Sequence, residues 1–348
     1  MKYYLQNPEF KFVSGLHIYC PGETITDVVV GVAKVDDPLT WDYPGYRIQT
    51  RGEWATIRFE RPDNWNRFEI QLASNNSNPI SGSLVFLEPL PEADILRFLK
   101  TKKVVFLGAA RNCEQRIPGT LEKLLELAEL FEDYRLKIYE NDSSDQTSAI
   151  CQKAVDENDK ITLISETGLD KLLPERTQRL AYARNKLLDD TLANHSDFDY
   201  ICWVDMDGLV DSRFSTLGFL SNFKYPQVWD AVFPVSSPSY YDIWALREQG
   251  ISPLDIVWRM RHQIPSVVSK KDMHPAVQQL APGSLLGWLR VESAFGGLGL
   301  YTMKAAAQGR YIGMFNNEEI CEHVPYHQGL ASSGARLYIN PECITHNP

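Results

Sequence analysis

From residue 102 onward, apolar runs alternate with amphipathic segments. The runs KVVFLGAA, RLKIYEND, ITLISE and FDYICWVDMD have the pattern of buried strands. Between them lie PGTLEKLLELAELFED, SSDQTSAICQKAVDEN and RTQRLAYARNKLLDDTL, which have helical spacing; Leu121, Leu124, Leu125 and Ala128 share one face of the first. Strands that alternate with helices predict an α/β fold with a mostly parallel sheet and right-handed crossovers.

Residues 1–97 have a different pattern, in which short runs alternate apolar and polar positions. The runs are DVVVGVAKV, YRIQTRG, WATIRFERP, RFEIQLAS and GSLVFLEPL, separated by Gly, Pro, Asn or Asp. This spacing predicts an all-β sandwich or small barrel. Its many aromatic residues either fill the core or stack on sugar rings. We expect a β-rich accessory domain at 1–97, a connecting helix in PEADILRFLKTKK, and a second domain at 98–348.

Beyond residue 212 the periodicity is weaker. The segment 236–290 contains several Pro and Gly residues and is predicted to include a lid or substrate loop. Near the C-terminus, EEICEHVPYHQGLASS has helical spacing, with Gly334 as its C-cap, and ARLYINP has the pattern of a strand.

Composition and charge narrow the classes of partner. Apolar residues make up 44 % of the 348 residues, and the formal net charge is −10. Because no block of Lys and Arg could follow a phosphate backbone, the sequence disfavours nucleic acid as a partner. The six cysteines form no CxxC pair, which argues against a zinc ribbon. Cys151 and Cys202 lie in apolar segments, as core residues do, and this indicates a reducing compartment. With no secretory h-region and no long apolar run, we expect no membrane span and a cytoplasmic location, with peripheral membrane attachment as an alternative.

The fourth strand ends in two aspartates, Asp205 and Asp207, within WVDMDG. Burying a carboxylate is unfavourable unless a partner compensates its charge. A divalent cation is the simplest partner, because Mg²⁺ and Mn²⁺ prefer hard oxygen ligands. Such a cation could also bind a diphosphate, which is the chemistry of a nucleotide-sugar enzyme. The alternative is that the two aspartates cap the following turn.

Four segments carry a family resemblance. The order of FLGAARNCEQRIPGTLEKLL, IYENDSSDQTSAI, LAYARNKLL and YICWVDMDG resembles the GT-A glycosyltransferases. In that family a nucleotide-contacting loop, an acidic strand end before Ser-x-Asp-x-Thr, an Ala-Arg-Asn helix and a strand ending in Asp-x-Asp follow one another. With CEHV near the C-terminus, the chain is most similar to fungal capsule-associated α-mannosyltransferases and their bacterial relatives. The resemblance covers about residues 102–348 and implies a Rossmann-like nucleotide-diphospho-sugar transferase domain.

The resemblance implies a donor site at the first two strand ends, where ligands bind in open α/β sheets. Ala110 and Arg111 would line the pocket for the base, and Asn112 would belong to the same donor site. Glu140 and Asp142 would hydrogen-bond the base or the ribose. Many family members have two aspartates where Glu140 and its neighbour stand, so the identity of the base stays open.

The resemblance also implies a metal and sugar site. Arg184 would contact the donor phosphates or the sugar, Asp205 the ribose or a metal-bound water, and Asp207 the metal itself. His323 would be the third metal ligand, because a neutral imidazole suits Mn²⁺. Glu322 would face the sugar or the acceptor as a catalytic residue.

Several of these roles have alternatives. In many inverting relatives the position of Glu322 and His323 is Glu-Asp, and that Asp is the general base. A His favours metal binding and therefore transfer with retention, while a general-base role stays an alternative. Arg184 could instead form a structural salt bridge, and His323 could lie at the surface. Glu292 is a weaker catalytic candidate, and His346 could also reach the metal.

The sequence therefore predicts a glycosyltransferase that depends on Mn²⁺ or Mg²⁺. The donor would be a nucleotide-diphosphate sugar, with GDP-mannose favoured by the resemblance, and the acceptor a glycan or a glycolipid. One alternative is a phosphatase, because WVDMDGLV also resembles the nucleophile strand of haloacid-dehalogenase-type enzymes, which usually begins their fold. The other is a carbohydrate-binding protein that has the GT-A fold without turnover.

Overall fold

The computed structural model describes residues 2–8, 11–22, 24–33, 41–72, 80–248, 255, 280–285 and 287–347. The chain divides into two compact units. The first consists of Met1–Pro89 with Leu286–Trp288, and the second of Leu90–Leu285 with Leu289–Pro348. Most of the lid or substrate loop predicted at 236–290 lies outside the described residues.

The first unit is built from antiparallel strands. Its described strands are β1 Lys2–Gln6, β2 Val13–Tyr19, β3 Val28–Ala33, β4 Tyr46–Arg51, β5 Trp54–Asp63, β6 Arg67–Leu72 and β7 Ser81–Phe86. They form two sheets, β1-β6-β3 and β4-β5-β2-β7, with antiparallel pairing throughout. Alternate residues of both sheets, such as Leu16 and Ile70, belong to one apolar cluster, so the sheets pack face to face.

Aromatic residues of this unit occur both in the core and at the surface. Phe59, Trp65 and Phe68 are buried in the apolar cluster, as the core-filling interpretation predicts. Tyr43 and Trp54 are 62 % and 55 % exposed. Stacking of these two rings on sugars stays a prediction.

The second unit alternates strands and helices. Its described strands are β8 Lys103–Ala110, β9 Asp133–Asn141, β10 Ile161–Glu166, β11 Tyr200–Val204, β12 Ala231–Ser237, β13 Leu289–Val291, β14 Leu298–Thr302, β15 Met314–Phe315, β16 Glu318–Glu319 and β17 Leu337–His346. Its described helices are α1 Glu92–Leu99, α2 Ile117–Ala128, α3 Thr147–Glu157, α4 Leu169–Leu172, α5 Arg176–Asn194, α6 Thr216–Leu220, α7 Met303–Ala306 and α8 His323–Ser332, with a short 3-10 helix at Ser221–Phe223. None of these helices is both long and apolar enough to cross a bilayer.

Eight of these strands form one mixed sheet in the order β10-β9-β8-β11-β14-β12-β17-β13. The first four are mutually parallel, which agrees with the strand and helix alternation of the sequence. In the other half, β14 runs antiparallel to both β11 and β12, and β13 runs antiparallel to β17. The α/β class is therefore correct, and the parallel arrangement holds for the half of the sheet that the sequence pattern covers.

Strand β11 lies inside this sheet, and all five of its residues are buried. Burial on both faces explains why its sequence is a continuous apolar run. The register pairs Trp203 with Leu107 of β8, so the carboxyl ends of these two strands lie side by side. A Cβ atom at position 108 would lie 2.4 Å from Met206 Sδ. Glycine at this position therefore leaves space for the buried side chain of Met206, which stands between Asp205 and Asp207 in the sequence.

The helix predicted at 318–333 begins later, at His323. The preceding acidic residues form β16, which pairs with β15 as a hairpin. Its turn residues Asn316 and Asn317 have φ values of +49° and +64°. Two-residue hairpin turns require such left-handed values, and asparagine tolerates them better than most residues. Gly334, with φ of +84°, follows α8 as the terminating glycine.

The helix predicted in SSDQTSAICQKAVDEN also begins later than its sequence pattern indicates. Helix α3 starts at Thr147, and the residues SSDQ before it form a loop. This loop follows the acidic end of β9 and contacts the loop that follows β8.

Candidate functional site

A pocket of about 380 Å³ lies at the carboxyl ends of β8, β9 and β11. It brings together five residues that the sequence predicts for the donor and metal sites, namely Ala110, Arg111, Asn112, Asp205 and Asp207. Asn141 and one face of α5 complete its walls. The position agrees with the rule that ligands of α/β sheets bind at the carboxyl edge.

The two aspartates of the pocket differ in their partners. The Asp205 carboxylate accepts a charged hydrogen bond from Arg184 Nη2 at 3.3 Å. The Asp207 carboxylate has no hydrogen bond or ion pair with another residue of the described part of the chain. Although Asp207 has exposed surface, burial against the pocket walls and repulsion by Asp205 raise its pKa to about 6. The pair thus leaves carboxylate oxygens available to a ligand.

Arg184 lies behind the acidic pair and is 3 % exposed. Its Nε donates to Glu322 Oε1 at 3.3 Å, so one guanidinium binds both Glu322 and Asp205. The rings of Trp203, Phe295 and Tyr311 surround it, with centroids at 5.4, 4.9 and 5.7 Å. Burial acts to lower the pKa of Arg184, but the carboxylates of Glu322 and Asp205 outweigh it and raise the value. The ion pairs match the salt-bridge alternative; a direct contact of Arg184 with the donor stays a prediction.

Helix α5 adds cations to the pocket that the sequence analysis did not identify. Arg176, Arg179, Leu180 and Ala183 line the pocket at i, i+3, i+4 and i+7 spacing, which places them on one helix face. Arg179 Nη1 donates to the carbonyl oxygens of Leu173 and Pro174 at 2.7 and 2.6 Å. This spacing is visible in the sequence, but only the fold shows that this face of the helix meets the strand ends.

The cations of the pocket are only partly engaged. Arg111 donates to Asp170 Oδ2 at 3.4 Å, an ion pair with exposed surface on both sides. Arg176 has no side-chain hydrogen bond or ion pair within the described ranges. Arg116, outside the pocket lining, acts with Arg176 to lower the pKa of Asp207 against the larger effect of burial.

The acidic residues at the end of β9 are fully engaged. Glu140 is buried, and its carboxylate accepts from Ser143 N at 3.0 Å and from Ser165 Oγ at 2.8 Å. Asp142 accepts from Asn141 Nδ2 at 3.0 Å and from the amides at the start of α4. The side-chain hydrogen bond from Asn141, followed by the backbone amides, lowers the pKa of Asp142 to about 2. Neither residue lines the pocket, and their contact with a base or ribose stays a prediction.

Glu322 and His323 are both buried at the start of α8, at 4 % and 3 % exposure. Burial raises the pKa of Glu322, and Arg184 opposes this. The His323 ring stacks on Phe295 with centroids 3.9 Å apart; among the described residues neither ring nitrogen has a hydrogen-bond partner, and Nε2 lies 3.7 Å from Glu322 Oε1. Burial, and then the charge of Arg184, lowers the pKa of His323, which keeps the ring neutral. The surface alternative for His323 is therefore wrong, because the aromatic core around Phe295 encloses the ring.

His327, one turn further along α8, is a buried histidine in which each ring nitrogen has a hydrogen-bond partner. Its Nδ1 lies 2.8 Å from Ser293 Oγ and its Nε2 lies 2.8 Å from Tyr301 Oη. Burial lowers its pKa to about 3. His323 differs because neither of its nitrogens has such a partner within the part of the chain that the structure describes.

Within the described residues, no group of three or more His, Cys, Asp or Glu side chains is already arranged to hold a metal ion. The hard oxygens of Asp205 and Asp207 nevertheless fit a divalent cation whose remaining ligands come from water or phosphate. His323 as a third ligand stays a prediction. Glu292 is exposed beside β13, and His346 donates its backbone N–H to Leu209 O in the loop after the acidic pair.

Two residues near the acidic pair were not identified from the sequence. Burial and then the charge of Asp205 raise the pKa of the Tyr241 phenol. Asp242 accepts from Gly296 N at 3.2 Å, and burial raises its pKa to about 6. The aromatic run SYYDIW that contains them falls inside the segment predicted as a loop. No periodic pattern distinguishes them there.

No protein-family model matches the chain, and no curated protein matches its sequence. Among solved structures, the chain is similar to S. aureus TarS 1–349, with 12 % identity, a TM-score of 0.40, and coverage of 70 % of this chain and 60 % of that one. It is also similar to the mannosyltransferase PcManGT from Pyrobaculum calidifontis in complex with GDP-Man and Mn²⁺, with 13 % identity, a TM-score of 0.41, and coverage of 74 % and 63 %. The chain thus spans less than two thirds of either structure. At this level of similarity a functional argument has to come from the site itself.

Proposed function

We propose that the second unit is a metal-dependent glycosyltransferase that moves a sugar from a nucleotide-diphosphate sugar to a glycan acceptor. One observation carries this proposal, namely that a single pocket presents both unsatisfied carboxylates and arginines. Asp205 and Asp207 enter it after β11, and Arg176 lines it from α5. A divalent cation bound to a diphosphate meets both requirements, because the cation binds the carboxylates and the phosphate oxygens bind the guanidinium groups.

Simpler ligands fit this pocket less well. A free phosphate would meet the arginines but would be repelled by Asp205 and Asp207. A cation without phosphate would meet the aspartates and leave Arg111 and Arg176 facing its positive charge. The chemistry that a divalent cation supplies at such a site is neutralisation of charge on the departing diphosphate.

In this proposal different residues of the chain hold the metal, bind the diphosphate and position Asp205. Asp207, which has no competing donor among the described residues, and Asp205 Oδ2, which does not bind Arg184, would hold Mn²⁺ or Mg²⁺. Arg111, Arg176 and Arg179 would bind the diphosphate with charge-assisted hydrogen bonds. Arg184 would fix Asp205 relative to the buried Glu322 through its two ion pairs. Positioning of this kind is how preorganised sites stabilise developing charge.

The finer features rest on the motif resemblance. We propose GDP-mannose as the donor, a glycan or glycolipid as the acceptor, and transfer with retention. Glu322 is the first candidate for a catalytic residue that faces the sugar, and Glu292 is the second. The ring nitrogens of His323 have no hydrogen-bond partner in the described part of the chain and suit the role of a third metal ligand, because the lowered pKa keeps the ring neutral and leaves one nitrogen with a free lone pair.

The first test is a thermal-shift titration with nucleoside diphosphates, with and without Mn²⁺. At 100 times its dissociation constant, a ligand stabilises the folded state by about 2.7 kcal/mol, which corresponds to a shift of about 4 °C for a chain of this size. We expect this shift for one nucleotide only when metal is present. Asp207→Asn should abolish it, because the amide removes a charged metal ligand.

Asp159→Asn, at an exposed acid between α3 and β10, is the matched control and should keep the full shift. Donor hydrolysis should appear in the wild type and be lost in Asp207→Asn. Nucleotide binding without any turnover would favour the non-catalytic alternative. Hydrolysis of a generic aryl phosphate would favour the phosphatase. An Asp207→Asn protein with a normal metal-dependent shift would refute the assignment of the site.

A further inference from the structure

The loop that follows β8 forms one wall of the pocket, through Arg111, Asn112 and Cys113. Three successive backbone amides of this loop donate to side chains within residues 143–147, which comprise the loop after β9 and the first residue of α3. Asn112 N donates to Ser143 Oγ at 3.1 Å, Cys113 N to Thr147 Oγ1 at 2.8 Å, and Glu114 N to Asp145 Oδ2 at 3.1 Å. We name Ser143, Asp145 and Thr147 the loop brace.

The two loops also bind each other in the opposite direction. Asn112 Oδ1 accepts from Ser144 N at 2.8 Å, and Glu114 Oε2 accepts from Gln146 N at 2.8 Å. With the hydrogen bonds from Ser144 Oγ to Asn112 Oδ1 at 3.3 Å and from Thr147 Oγ1 to Cys113 Sγ at 4.0 Å, seven hydrogen bonds join residues 112–114 to residues 143–147 in the described part of the chain. Such a network is cooperative, because each bond orders the groups that make the next.

The brace residues are not ligand residues themselves. None of the three is among the residues that line the pocket. Thr147 is fully buried and Cys113 is 7 % exposed, so their hydrogen bond is shielded from water. An amide left without a partner at such a place is unfavourable. The Ser-x-Asp-x-Thr motif of the sequence is thus engaged with the backbone of the neighbouring loop.

The loop after β8 has an unfavourable backbone conformation at Asn112. Asn112 has a φ of +50°, in the left-handed region that residues other than glycine adopt at a cost. Its side chain is exposed and Arg111 is half-buried, so packing alone does little to fix either. Hydrogen bonds to the brace hold the backbone from which both side chains reach the pocket.

We propose that the loop brace is a positioning element for the nucleotide end of the pocket, acting through the backbone of residues 112–114 and not through contact with the ligand. This inference rests on the proposed function. It assigns Thr147 the central role, because Thr147 binds the middle amide and is the most buried of the three. Preorganisation of this kind preserves affinity that would otherwise be lost in ordering the loop on binding.

The test compares Thr147→Val, which keeps the shape and removes the acceptor, with Thr147→Ser, which keeps the hydroxyl. Thr191→Val is the matched control, because Thr191 is equally buried and its hydroxyl has no hydrogen-bond partner among the residues that the structure describes. Two quantities are measured on the full chain. They are amide hydrogen exchange of peptides that cover residues 111–116 without ligand, and the Kd of the preferred nucleoside diphosphate with Mn²⁺ by calorimetry.

We expect Thr147→Val to speed exchange in this loop and to weaken nucleotide affinity about tenfold, since each side chain that must be newly ordered weakens binding by a factor of roughly 2 to 10. Thr147→Ser should restore both quantities, and Thr191→Val should change neither. If Thr147→Val does not fold, Ser143→Ala, at a partly exposed position, gives a milder form of the same test.

The outcomes separate the brace from the proposed function. Faster exchange with unchanged affinity overturns the positioning role, and unchanged exchange shows that the loop does not depend on the brace. If the wild type binds no nucleoside diphosphate, the proposed function fails and the positioning claim fails with it. Wild-type binding combined with an unaffected variant rejects the brace alone.

Discussion

The carboxyl ends of β9 and β11 both carry two acidic residues, but the two pairs differ in how many hydrogen-bond donors the chain itself supplies to them. Glu140 and Asp142 after β9 accept hydrogen bonds from the chain's own amides and hydroxyls. Asp205 after β11 has a single ion pair, and Asp207 has no partner among the described residues. The pKa of Asp142 is lowered to about 2, whereas that of Asp207 is raised to about 6.

This difference distinguishes acidic residues that stabilise the fold from acidic residues that bind a ligand. A carboxylate whose donors are all supplied by the chain stabilises the fold that supplies them. A carboxylate kept without donors inside a pocket costs stability, and such a cost is typical of sites where an external ligand completes the interactions. The same two-residue spacing, Glu140 to Asp142 and Asp205 to Asp207, therefore has a different meaning at each strand end.

The largest effect is expected from replacing Arg184, the only cation among the described residues that forms an ion pair with Asp205. Arg184→Met should lower the free energy of unfolding by about 3–5 kcal/mol, because it leaves Glu322 buried without its partner. Urea denaturation measures this. Arg176→Met is the matched control on the same helix; its side chain is exposed and unpaired among the described residues, so the change should stay within about 0.5 kcal/mol.

A second substitution identifies the cause of that loss. Adding Glu322→Gln to Arg184→Met removes the uncompensated charge and should recover part of the stability. If Arg184→Met is as mild as its control, the two ion pairs do not hold this region together.

A smaller loss is expected at the end of β9. Asp142→Ala should lower the free energy of unfolding by about 1–2 kcal/mol, because the amides of Leu169 and Asp170 lose their acceptor at the start of α4. Asp159→Ala, at an exposed acid, should change it by less than about 0.5 kcal/mol. Equal effects of the two substitutions would show that the Asp142 cap adds nothing.

The pH dependence of the same residue gives an independent check. The folded-state pKa of Asp142 is about 2, below its ordinary value of 3.8. Its contribution is therefore present above pH 3.8 and is lost as the pH falls toward 2. The difference in unfolding free energy between the wild type and Asp142→Asn should shrink across that window. A difference that is constant with pH would exclude the charge of Asp142 as its source.

Much of this fold follows from local sequence. The strands β8, β9 and β11 and the helices between them arise from apolar runs and amphipathic spacing, which act over a few residues. The same local rule places Asp205 and Asp207 at a strand end and therefore in the pocket. The hairpin before α8 does not follow from this rule, because its strands β15 and β16 are two residues long and too short to show an alternating pattern.

Long-range contacts could not be predicted in the same way. The backbone donors to Asp142 lie in residues 168–170, and the Glu322 that pairs with Arg184 is far away in the sequence. Such contacts decide whether hydrogen-bond donors reach the carboxylate of an acidic residue. The sequence alone therefore does not distinguish Asp142 from Asp207. The insertion of β14 between β11 and β12 is likewise decided by tertiary packing.

The smallest effect on stability is expected at Asp207, where the effect on binding should be complete. Asp207→Asn removes a charge that has no donor among the described residues and that Asp205 repels. The free energy of unfolding without ligand should stay unchanged or rise by up to about 1 kcal/mol. Urea denaturation of ligand-free protein at neutral pH measures this, with Asp142→Asn as the contrasting substitution. A loss above 1 kcal/mol would mean that Asp207 stabilises the fold as Asp142 does, and the contrast between the two strand ends would then no longer mark the ligand site.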